Sequence, residues 1–73
     1  MGKLRVLSGR DVCAILSKSG FVEVRSRGSH VVMQIRTADS TITVPVPMHR
    51  EIKIGTLQSI IRQSGLRRAE FEV

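Results

Sequence analysis

The sequence predicts an α+β fold in the order α-β-β-β-α, with two helices packed on one face of a three-stranded antiparallel sheet. Three observations carry this expectation. Apolar residues recur at helical spacing in two stretches, Val12, Ile15 and Leu16 early in the chain and Leu57, Ile60 and Ile61 late in it. Between them lie three runs rich in Val and Ile that alternate with period two, as strands with one buried face do. Turn-forming residues, Gly28-Ser29 and Ala38-Asp39-Ser40, separate those runs.

The chain begins with an arm, residues 1–7, expected to lie against the body through Val6 and Leu7. Ser8 then reads as a helix cap, with Asp11 three residues on completing a reciprocal box. Helix one covers residues 9–19, Ser19 closing its apolar stripe and Gly20 stopping it. The first strand spans residues 21–27 and the second residues 30–36. A two-residue turn sets Arg27 opposite His30 and Arg25 opposite Val32. Counting on from there, Val22, Val24 and Ser26 share the inward face with Val31, Met33 and Ile35. Glu23, Arg25, Arg27, His30, Val32, Gln34 and Arg36 share the outward one. Phe21 breaks this split and is expected at the helix–strand junction. The third strand, residues 41–46, turns Ile42, Val44 and Val46 inward. Pro45 cannot donate to a ladder, so this strand belongs at an edge with the second in the centre. Helix two begins near Ile54 and stops at Gly65, and Phe71 pins a short final turn.

The 73 residues form one domain, residues 1–73, with an aliphatic core, because Trp and Tyr are absent and only Phe21 and Phe71 are aromatic. Twelve Lys and Arg against six Asp and Glu give a net charge of +6, which favours a polyanionic partner. No apolar run approaches the roughly 20 residues that span a bilayer, and no signal-peptide core opens the chain, so a cytoplasmic location without membrane contact is expected. The lone cysteine, Cys13, fits a reducing compartment and reads as a small core residue. No cofactor is expected. The two histidines and the cysteine lack metal-ligand spacing, and no glycine-rich phosphate loop is present.

The order α-β-β-β-α is that of small double-stranded-RNA-binding domains. The hairpin carries chemistry suited to RNA. Breaking a strand requires a 2′-hydroxyl to lose a proton, a phosphorus to bear added negative charge and a 5′-oxygen to gain a proton. An imidazole can serve as base or acid near neutral pH, and guanidiniums can clamp the phosphate. His30 is therefore the candidate catalytic residue. Arg25, Arg27, Ser29 and Lys53 are the candidate RNA contacts, and a metal is not required. Gly55 and Thr56 add the first turn of helix two, where unpaired amides welcome an anion. Two other readings use the same residues: a module that grips duplex RNA without cutting it, and a domain whose basic face only docks an acidic protein. Homo-oligomers through a strand edge are left open.

Three segments resemble the HicA-type toxins of toxin–antitoxin modules. They are Gly20-Phe21 with Arg25-Ser26-Arg27-Gly28-Ser29-His30, then Thr43-Val44-Pro45-Val46, then residues 51–57 with residues 60–66. The resemblance implies an endoribonuclease that cleaves mRNA without the ribosome, inhibited by a HicB-type antitoxin. It implies that the catalytic histidine is His30, the histidine of Gly-Ser-His. A common family form has a histidine directly after the Val-Pro-Val segment. Here Pro47 and Met48 intervene before His49, which is accordingly left out of the catalytic set.

Overall fold

The computed structural model describes residues 3–72. The order is α1 (Gly9–Lys18), β1 (Val22–Arg27), β2 (His30–Arg36), β3 (Thr41–Pro47), α2 (Ile54–Ser64) and a closing 3-10 turn (Arg68–Phe71). The sheet is antiparallel in the order β1-β2-β3, so β2 is central and Pro45 lies on an edge strand. Both helices pack on one face, and α2 rests on β3. The core joins Val12 and Leu16 of α1, Leu57 and Ile60 of α2, Val31 and Met33 of β2, and Val44 and Val46 of β3. Phe21, Ile52 and Phe71 close it from the connecting segments.

Local chemistry explains the helix ends. Ser8 Oγ accepts from the Asp11 amide at 3.1 Å, and the Asp11 carboxylate accepts from the Ser8 amide at 3.0 Å, which satisfies two otherwise orphaned donors. Ser19 acts as the C-cap of α1 rather than as the last residue of its stripe, its amide donating to the Leu16 carbonyl while the Gly20 amide donates to that of Ser17. α2 ends at Gly65, which takes a left-handed conformation. Ser64 is buried there, donating to the Ile61 carbonyl and accepting from the Leu66 amide.

The N-terminal arm crosses the body as an extended segment. The Arg5 amide donates to Phe71 (2.9 Å) and the Ile52 amide donates to Leu7 (2.8 Å). Leu7 is buried, but Val6 is 77% exposed, so only one of the two expected anchors holds the arm. Backbone bonds to neighbours on both sides fix the alternation of an extended segment, and adjacent side chains must then point opposite ways. Phe21 likewise stands outside β1 and turns into the core, and β3 runs one residue further than expected, to Pro47.

The inward face of β1 is the main correction to the sequence reading. The pairs Arg27–His30, Ser26–Val31 and Arg25–Val32 follow the two-residue turn as expected. The register then shifts between Glu23 and Arg25, so that Glu23 opposes Met33 and Val22 opposes Gln34. Val24 is the extra residue of a β-bulge. One residue of slip exchanges the faces. Val22 therefore joins the polar face at 59% exposure, Val24 is 47% exposed, and Glu23 moves to the helical side. There its carboxylate acts on the Cys13 thiol of α1. The reason is coverage: α1 rests on β3 and the 3-10 turn, so β1 has little apolar surface to meet, and every residue of β1 is exposed.

Candidate nucleic-acid interface

Gly28 has φ of 57°, the first central position of a two-residue turn, while among the described residues no non-glycine residue has a positive φ. This turn brings the end of β1 and the start of β2 into register and projects four side chains from one end of the sheet. Arg27 and His30 are cross-strand partners, and Arg25 opposes Val32 one step further in. Directly opposed residues share a face, so the imidazole and both guanidiniums lie on the side of the sheet away from the helices. Arg25, Arg27, Ser29 and His30 are all exposed. Ser29 Oγ lies 3.4 Å from His30 Nδ1, a long contact that ties the ring loosely to its neighbour.

No ion pair among the described residues neutralises this cluster. The ion pair that forms, Arg68 with Glu72 at 2.7 Å, lies in the C-terminal turn. Unpaired guanidiniums beside an imidazole give a cationic surface open to a phosphodiester. Lys53 stands apart from the hairpin, at the N-cap of α2, and makes no capping bond with its side chain. No hydrogen bond or ion pair among the described residues joins it to the hairpin. Among the same residues, no three His, Cys, Asp or Glu side chains converge as metal ligands would.

The end of β3 abuts the hairpin tip. His30 opposes Pro47, and the Met48 amide donates to the Ser29 carbonyl at 2.6 Å. The next carbonyl, that of His49, accepts from the Gly9 amide at 2.9 Å. Gly9 is required here by proximity: a Cβ would collide with the Pro47 carbonyl oxygen and lie 2.7 Å from Met48 Cα. The start of α1, the end of β3 and the hairpin tip thus form one contiguous corner. Pro47 and Met48 separate His49 from the Val-Pro-Val segment, which leaves it out of the expected catalytic set. The structure keeps it exposed, but on the corner adjoining the hairpin. The local sequence carried no sign of this placement, which depends on a contact across about 40 positions.

Element order, sheet topology and helix placement make this a small α+β domain like double-stranded-RNA-binding domains, with a basic sheet face bearing one histidine at the hairpin tip. The family described as the HicA toxin of bacterial toxin–antitoxin matches residues 9–66, most of the chain, and the protein belongs to that family. It is the toxin of a toxin–antitoxin system, and an antitoxin is its partner. No curated protein gives a match to the chain. No described helix is long and apolar enough to cross a membrane.

Proposed function

We propose that this toxin is an endoribonuclease that cleaves mRNA in the cytoplasm, with the whole chain acting as one toxin domain. His30 is its acid/base residue, and Arg25 and Arg27 hold the scissile phosphate. Ser29 contacts RNA from the turn, and Lys53 contacts RNA from the start of α2. The observation that carries this reading is the exposed His30–Arg27 cross-strand pair, with Arg25 on the same open face.

In the proposed reaction the neutral imidazole takes the proton from a 2′-hydroxyl, whose oxygen forms a bond to phosphorus. The bond from phosphorus to the 5′-oxygen breaks, and that oxygen takes a proton from the imidazolium or from water. Guanidiniums stabilise the negative charge that gathers on the non-bridging oxygens. These side chains suffice for the chemistry without a metal. A HicB-type antitoxin would silence it by covering the hairpin face.

The test is cleavage of labelled RNA by purified protein with EDTA present. His30→Ala is expected to keep its unfolding temperature and to lose about 10²–10⁴ in rate, the usual contribution of general acid–base catalysis. Equal cleavage by parent and variant would overturn the assignment of His30. RNA binding without strand breaks by the parent would favour instead a module that only grips duplex RNA.

A further inference from the structure

Beside the hairpin, at the corner where β3 ends, lies a shallow cleft of about 250 Å³ lined by Ser8, Arg10, Met48, His49 and Arg50. This volume is under the about 300–1,000 Å³ of sites for drug-sized ligands and suits a single small unit. Its chemistry is divided. The half-buried Met48 side chain offers an apolar surface, its sulfur 3.0 Å from where a Cβ on Gly9 would sit. Arg10, Arg50 and His49 are exposed, and neither arginine is ion-paired among the described residues. Two carboxylates adjoin lining residues in the chain: Asp11 is bonded to the Ser8 amide, and Glu51 is exposed and makes no ion pair among the described residues; neither lines the cleft. Because Asp11 already occupies that end of α1, an incoming anion would be held by side chains and not by the helix terminus.

We infer that this cleft is a second nucleotide subsite of the RNA track, taking the base or ribose of a neighbouring nucleotide against Met48 and its phosphate between Arg10 and Arg50. The inference rests on the proposed function in taking RNA as the ligand. An apolar patch edged by unpaired cations matches a nucleotide, which joins a flat, weakly polar base to an anionic phosphate. The cleft is also coupled to the hairpin. His49 stands two residues past Pro47, the cross-strand partner of His30, so at most about 7.6 Å of chain separates the strand pair from the cleft. The Met48–Ser29 backbone bond holds the two parts in fixed relation. One strand of RNA can therefore lie across both.

The experiment measures binding of a labelled mixed-sequence oligoribonucleotide as a function of salt, in a His30→Ala background that leaves the probe intact. Arg10→Ala/Arg50→Ala is compared with Arg62→Ala/Arg67→Ala, which removes the same charge outside the cleft. Losing the one phosphate held between Arg10 and Arg50 should make the slope of log affinity against log salt shallower by about 0.7 for single-stranded RNA. The control pair should change it less. Equal slopes in the cleft variant and its parent, or equal losses in both variants, would overturn the inference. So would a defect confined to antitoxin binding, which would make the corner a protein-docking surface. Failure of this subsite leaves the His30 cleavage assay unaffected, and failure of cleavage leaves the salt slope readable, so the two readings fall separately.

Discussion

Gly28 and Gly9 are both fixed by backbone geometry, and each for a different reason. Gly28 faces open space, so a side chain there meets nothing, but its φ of 57° lies where L-residues are strained. Gly28→Ala should cost about 1–2 kcal/mol, seen as a lower midpoint of denaturant unfolding, whereas Gly28→Asn should recover part of the loss. Gly9 has an ordinary φ but no room, since the atoms it would strike are backbone. Gly9→Ala should therefore cost about 1–3 kcal/mol by overpacking, and should displace the Met48–His49 corner as well. Cys13 illustrates a quieter effect. Burial, and then the Glu23 carboxylate, push its thiol up, so it remains protonated and unreactive at neutral pH. Alkylation should be slow in the native protein, and Glu23→Gln should speed it modestly.

At the level of elements, α1 depends on its first turn. The Ser8 amide and hydroxyl hold the Asp11 carboxyl below the usual carboxylate range, with a smaller contribution from the charge of Arg5. A lowered folded pKa means that folding favours the ionised form. Its stabilisation is complete above the ordinary value of 3.8 and is lost as pH falls through the lowered one. The gap in unfolding temperature between the parent and Asp11→Ala should thus be widest near neutral pH and narrow in acid. β1 is the element held by the least. It has one neighbour strand, a bulge at Val24 and side chains exposed on both faces, so its amides should exchange with solvent sooner than those of β2. Since β1 carries Arg25 and Arg27, the proposed phosphate contacts sit on the more mobile half of the hairpin, while His30 sits on the central strand.

Across the whole molecule, backbone contacts at Phe71 and Glu72 tie the N-terminal arm to the C-terminal turn. Phe71 is fully buried, its carbonyl accepts from Arg5, and Leu4 bridges to Glu72. Phe71→Ala should cost about 3–5 kcal/mol, a large share of the stability of so small a core, and should lower the unfolding temperature by tens of degrees. The net charge of +6 acts at the same scale. With one ion pair among the described residues, most of the positive charge is unpaired at the surface. RNA affinity should fall steeply with added salt, whichever residues make the contacts.

The order of elements, the capping box, the turn and the pairing of Arg27 with His30 were all legible in the chain, because each depends on residues a few positions apart. So was the family, since its motifs are continuous segments. Tertiary structure alone decided which face Val22 and Glu23 take, and where His49 lies. The two-residue count from the turn places Val24 inward, but a strand with a free edge and little helix above it can bulge at low cost. The corner of Gly9, Met48 and His49 follows from packing between distant segments, and no local spacing encodes a contact of that range.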